Sequence, residues 1–175
     1  MTTIAQLQIA DFKRVDYPSF GYQLSIQIWG AACSVTISPV DDSNINLSTL
    51  LPSVKESLGF LDSTKKECFQ AILDANMVKL AEDWIIDELH GVENDGTRVC
   101  YLTEDDEKVY IPISQQEFLD SLTFLSIDFT FFADNENPLI DLYFKCRPDY
   151  FLGHVILCRF NNSNPKTYKC IGLEG

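Results

Sequence analysis

The sequence predicts an α+β fold: a mostly antiparallel sheet with one long amphipathic helix (about residues 64–90) packed on one face and a short additional helix. Two observations carry this. Segments with the period-two alternation of strands stand at both ends of the chain, and one long segment with helical periodicity stands between them. A chain of 175 residues with 46% hydrophobic side chains is long enough to bury a substantial core and falls within the usual size of one domain, residues 1–175.

The elements follow in order. "YQLSIQIW" puts Tyr22, Leu24, Ile26 and Ile28 on one face. After "GAA", "CSVTIS" puts Cys33, Val35 and Ile37 on one face, so the pair reads as a hairpin. A short helix is predicted around "STLLPSVKESLGF", closing near Gly59. The long helix is predicted from "STKKECFQAILDANMVKLAEDWIIDELHG". Thr64 and Glu67 have capping-box spacing, Phe69, Ile72, Leu73, Leu80 and Trp84 recur at helical spacing, and Gly91 follows as a stop. His90 at its end is placed to cap carbonyls.

"RVCYL" and "VYIPI" read as two short strands joined by a charged connection. Pro112 cannot donate to a ladder, which places the second strand at a sheet edge. "SQQEFLDSL" allows a turn of helix. "LSIDFTFFADN" then groups Leu125, Ile127, Phe129 and Phe131, and "LIDLYFKC" groups Ile140, Leu142, Phe144 and Cys146, with "DNENP" as the turn between them. "GHVILCRF" makes the last strand of this reading.

The charge is unevenly placed. Net charge is −13, and residues 74–136 alone hold sixteen acids and three bases. Such a field attracts basic partners and repels nucleic acid and anionic membranes, so no direct DNA or RNA binding and no membrane association is expected. No run of about 18 apolar residues and no secretory leader pattern occurs, which makes a cytoplasmic protein the expectation.

The acids concentrate in two places, the last turns of the long helix (Glu82, Asp83, Asp87, Glu88) and the run Glu104, Asp105, Asp106 and Glu107 in "YLTEDDEKVYI". Four carboxylates in a row lack the alternate spacing, glycine and closing glutamate of a calcium loop. What remains is a solvated hairpin tip or a surface for a basic partner. The helix acids oppose the macrodipole, a small local cost that favours a purpose beyond folding.

Other chemistry is sparse. No nucleotide-binding, nucleophile-elbow or zinc-protease motif is present, and neither a metal nor a cofactor is expected. The six cysteines have no C-x-x-C pair and sit in apolar runs, as reduced, mostly buried thiols do. His154 and Cys158 share a strand face but stand roughly 13 Å apart along it, too far to share a proton, so His154 reads as structural. Trp29 and Trp84 read as core residues.

"SLTFLSIDFTFFADNENPLIDLYFKCRPDYFLGHVILCRF" resembles a family of small bacterial domains. The shared pattern is a strand, an Asp-Asn turn, a strand rich in Leu, Phe and Tyr, and an aromatic-x-Gly-His step, here Phe151, Leu152, Gly153 and His154. Members of that family are similar to immunity proteins of polymorphic-toxin and contact-dependent inhibition systems. The resemblance implies a small cytosolic protein that binds and neutralises a cognate toxin domain, often a nuclease with a basic surface. No catalytic residue carries over.

The expected function is therefore a non-enzymatic inhibitor of a basic toxin, with Asp83, Asp87, Glu88, Glu104, Asp105, Asp106 and Glu107 supplying the attraction. Two alternatives stay open at this level: a nucleic-acid mimic that sequesters a DNA-binding protein, and an enzyme built on carboxylates or a cysteine.

Overall fold

The computed structural model describes residues 3–16, 21–40, 46–94, 96–103, 105–132 and 135–175. Two 3-10 turns (Ile4–Gln6 and Ile9–Asp11) lead into β1 (Lys13–Val15), β2 (Gly21–Ile28) and β3 (Ala31–Pro39). Three helices follow, α1 (Leu47–Ser63), α2 (Lys65–Asp74) and α3 (Met77–Glu88). A small sheet then forms from β4 (Gly91–Asn94), β5 (Val99–Leu102) and β6 (Lys108–Ile111). After α4 (Gln115–Ser121), the long strands β7 (Leu122–Phe132), β8 (Asn135–Cys146), β9 (Val155–Asn161) and β10 (Thr167–Glu174) complete the main sheet.

The main sheet has the order β1-β2-β3-β7-β8-β9-β10. Its pairs are antiparallel except β3 with β7, which run parallel. The helices and the small sheet all lie in the connection between those two strands. The fold is thus α+β with a mostly antiparallel sheet, as the alternation predicts.

The β2–β3 turn is Trp29–Gly30, both at positive φ (55° and 78°), the pairing a two-residue hairpin with right-handed twist requires. A tryptophan is unusual there, and its contacts account for it. Trp29 Nε1 donates to the Leu61 carbonyl at 2.6 Å, its backbone N–H donates to Asp62 Oδ1 at 2.8 Å, and its ring lies against Phe124 and Phe144.

One face of the sheet carries the core. Leu24, Ile26, Ile28, Val35, Ile37, Ile127, Phe129, Ile140, Leu142, Phe144, Ile156, Cys158 and Phe160 are buried there. Against them α1 buries Val54, Leu58 and Leu61, α2 buries Cys68 and Ile72, and α3 buries Met77, Ala81 and Ile85. Five of the six cysteines are buried, Cys170 is half-buried, and all six are free thiols. Burial holds Cys33 and Cys146 up at about 12, far from reactive thiolate character.

Several expectations are corrected. The helix predicted over 64–90 is two helices, broken at Asn76, which takes a left-handed φ of 57°. In a continuous helix at about 100° per residue, Cys68 and Ile72 would face nearly opposite to Met77, Ala81 and Ile85. The break rotates the second half so that both stripes meet the core, and leaves Leu80 37% exposed. The longest helix is α1, which runs through Gly59 to Ser63. Thr64 caps nothing: its hydroxyl bonds the Phe60 carbonyl and the Tyr168 hydroxyl.

Gly91 opens β4 rather than ending a helix, and His90 is exposed and makes no capping bond. In β7 a bulge between Phe124 and Ser126 turns Leu125 outward and buries Phe124 in its place. Asp134, the first residue of "DNENP", lies outside the described residues, and Asn135–Pro138, predicted as a turn, belong to β8. The Pro112 argument holds, since β6 is an edge of the small sheet. The sequence reading assigned no strand to "TYKCIGLE", which forms β10.

Candidate functional site

Glu104 lies outside the described residues. The rest of its hairpin tip is closed by Thr103, whose N–H donates to the Glu107 carbonyl at 3.0 Å and whose Oγ1 accepts from the Glu107 N–H at 3.1 Å. Asp106 sits at φ 59°, a left-handed position that aspartate tolerates. Asp105 and Asp106 point to solvent.

The hairpin tip rests against the connection from β8 to β9, which contains the Phe151–His154 step. Asp149 shapes that connection: its two carboxylate oxygens accept from the N–H groups of Phe151 and Gly153 at 3.2 and 2.9 Å. Leu152 and Gly153 both take positive φ, 51° and 97°. A cleft of about 110 Å³ is lined by Thr103, Asp105, Asp149, Leu152 and Gly153. Arg147 Nε reaches Glu107 at 3.1 Å.

On the other side of the same connection stands α3. The Trp84 ring meets Phe151 edge-on at 6.1 Å and His154 at 5.3 Å, and Phe151 is buried between Trp84 and Phe118. Glu82 ties α3 to the end of the small sheet by accepting from the Ile113 N–H at 2.8 Å. The two acidic segments separated in sequence therefore flank one loop, 147–154.

Their charges divide into two sets. Each cation of residues 74–136 pairs with an acid: Lys79 with Asp83 at 2.6 Å, Arg98 with Glu117 at 2.9 Å and Lys108 with Glu93 at 3.3 Å. Lys145 and Arg147 are likewise paired, with Asp149 and Glu107. Among the described residues, Asp87, Glu88, Asp105 and Asp106 make no ion pair. Of the seven predicted site residues these four present uncompensated charge, while Asp83 and Glu107 are engaged within the protein.

A second constellation, which the sequence reading did not single out, occupies the opposite face of the main sheet. Each helix that packs on this sheet lies on the core side, and the other face carries a row of polar residues in direct cross-strand register. Gln23 pairs with Thr36, Thr36 with Asp128, Asp128 with Asp141, Asp141 with Arg159 and Arg159 with Lys169. Arg159 grips Asp141 through two bonds, Nε at 2.8 Å and Nη2 at 3.1 Å. Asp141 is only 8% exposed.

Burial, with the Asp141 and Glu174 carboxylates nearby, raises the pKa of Asp128 against the bond from Thr36 that lowers it. Tyr143, one pleat along from Asp141, is held up to about 12 by burial and by Asp128, Glu174 and Asp141, so its hydroxyl keeps its proton. The signal for this row was present in "LSIDFTFF", "LIDLYF" and "VILCRF", where a charged residue takes the same parity, opposite to the apolar positions, in three successive strands. Register alone shows that these parities align.

Among the described residues no group of three His, Cys, Asp or Glu side chains converges as a metal site, and no helix is long and apolar enough to cross a membrane. No curated protein and no solved structure matches the chain. A family model does: the one described as an uncharacterised protein conserved in bacteria, DUF2262, matches residues 9–170, and the chain belongs to that family.

Proposed function

We propose that the protein is an inhibitor of the immunity type, which binds a basic toxin domain through the face built from the end of α3, the β5–β6 hairpin and the loop 147–154. The observation that carries this reading is the set of unpaired carboxylates, Asp87, Glu88, Asp105 and Asp106, held on two elements that flank one loop. Solubility alone needs charge anywhere on the surface; here four carboxylates without an ion pair stand on two elements beside the same loop.

The mechanism has two parts. Long-range attraction raises the association rate toward a basic surface, and it weakens as salt screens it. Exposed apolar side chains on α3, Leu80 and Ile86, and on β4, the strand that pairs with β5, Val92, then give the contact its lifetime. Blocking needs no chemistry from the inhibitor, since covering a nuclease's basic surface excludes its substrate.

The test is capture from the native bacterium at low salt, with elution as salt rises, followed by assay of the purified partner. One basic protein retained at high salt, whose activity is lost at equimolar inhibitor, supports the reading. Release of many basic proteins together at modest salt, none of them inhibited, overturns it.

A further inference from the structure

One residue of the loop 147–154 carries backbone strain that the fold itself does not use. The His154 N–H donates to the Phe151 carbonyl at 3.1 Å and closes a turn whose central residues, Leu152 and Gly153, take φ of 51° and 97°. Turns with two positive φ values are made of Gly, Asn and Asp. In the left-handed region a Cβ crowds the following carbonyl oxygen, and only a short polar side chain offsets this with a local bond. Leu152 has no such compensation. Asp149 enforces the conformation, since its carboxylate oxygens accept from the N–H groups of Phe151 and Gly153, one on each side of Leu152.

Burial in the core would offset that strain, but the core does not receive this side chain. Tyr150 and Phe151 are the residues that fill it at this loop; Leu152 is half-buried and is not packed against it. It walls the cleft of about 110 Å³ instead, together with Thr103, Asp105, Asp149 and Gly153. A leucine that strains its own backbone without serving the core is placed for a contact outside the chain.

The cleft's size and lining define what it takes. It is well below the roughly 300–1,000 Å³ of small-molecule pockets, so it accommodates a single side chain. Leu152 gives it an aliphatic wall, and Asp105 gives it a carboxylate that makes no ion pair among the described residues. Asp149 is already engaged by the two N–H groups and by Lys145 at 3.5 Å. An aliphatic wall beside one open carboxylate matches lysine and arginine, which join an apolar stem to a cationic head.

We propose that Leu152 is the apolar anchor of the partner-binding face: it packs on the stem of one lysine or arginine of the partner, whose head pairs with Asp105. The inference rests on the reading of this face as the docking surface for a basic protein, and it names the residue that holds the contact.

The first measurement needs no partner. Leu152→Gly and Leu152→Asn remove the strain, so their urea midpoints should lie at or above that of the wild type. The second is a titration of the full chain with N-acetyl-arginine amide, followed by 1H–15N spectra, with N-acetyl-citrulline amide as the neutral probe of the same shape. Saturable shifts at Thr103, Asp105, Leu152 and Gly153 with the arginine probe and not the citrulline probe are expected. Leu152→Gly should weaken binding by roughly threefold or more, the scale of one lost, partly buried aliphatic contact. Asp105→Asn should weaken it by a similar factor. Asp120→Asn, which removes an exposed charge of α4 outside the cleft, should leave it unchanged. Leu152 variants less stable than the wild type would make the leucine structural and overturn the anchor, while leaving the reading of the acidic face in place. Stable variants with no arginine-specific binding by the wild type, or with binding that Leu152→Gly leaves intact, overturn the proposed contact. The toxin reading fails separately, in the capture experiment, when no basic protein is inhibited.

Discussion

Asp141 and Arg159 face each other across β8 and β9, and both bonds of the guanidinium fork reach the carboxylate, at 2.8 and 3.1 Å. Because Asp141 is 8% exposed, water replaces a lost partner poorly. Arg159→Ala strands a nearly buried charge and should cost about 2–3 kcal/mol, less than the roughly 3–5 kcal/mol of a fully buried pair because the arginine itself is partly solvated. Arg159→Lys should recover part of that, since one ammonium replaces one arm of the fork. Urea midpoints at pH 7 check both values, and a cost near zero would mean that Asp141 finds water.

The acid side of the stability curve should be shaped by Glu117. Its carboxylate accepts from Ser114, which it caps reciprocally at the start of α4, and from Arg98, and these bonds hold it down at about 2 against an ordinary 4.5. A depressed carboxylate contributes stability that is complete above its unfolded value and is lost as pH falls through its folded one. The contribution is about 1 kcal/mol at most, because the side chain is substantially exposed. Glu117→Gln should therefore lower the urea midpoint at pH 6, and the difference from wild type should close between pH 4.5 and 2. A gap that stays constant over this window would assign the effect to packing.

Asn76 separates two helices, and substitution there distinguishes a turn from a continuous rod. At φ 57° glycine fits freely, whereas a Cβ other than that of Asn or Asp costs about 1 kcal/mol. Asn76→Gly should be nearly neutral and Asn76→Ala destabilising by about 1 kcal/mol. Were the segment one helix, propensity would reverse that order, since alanine favours a helix interior and glycine opposes it. Denaturation of the two variants side by side reads the sign directly.

That break also shows where sequence reasoning reached its limit. Phe69, Ile72, Leu73, Leu80 and Trp84 fit one helical stripe, and nothing local in "DANM" distinguishes a left-handed asparagine from a helical one. Only the demand that Met77, Ala81 and Ile85 meet the same core as Cys68 and Ile72 forces the turn. Strand faces in β2, β3, β8 and β9 were legible because alternation is a local property. The bulge that buries Phe124 in place of Leu125 was not, because it depends on the partner strand. The same holds for function. The acid run stood out as four consecutive letters, but Asp128, Asp141 and Arg159 lie 13 and 18 residues apart, and register alone brings them into one row.

The acid run gives the last prediction. Replacing Glu104, Asp105, Asp106 and Glu107 with Ser or Asn removes four negative charges from a tip whose backbone is held by Thr103, so the fold should survive. The loss also frees Arg147 from Glu107, which turns part of the same surface cationic. Association with a basic partner should slow by roughly tenfold at low ionic strength and by much less at high salt, because steering acts at long range and is screened. Dissociation should change little if the tip steers without packing into the interface. Stopped-flow or surface-binding rates across a salt series separate the two. A faster dissociation with unchanged association would make the tip part of the contact itself, and unchanged rates at low salt would remove it from the interface and leave Asp87 and Glu88 of α3 as the source of attraction.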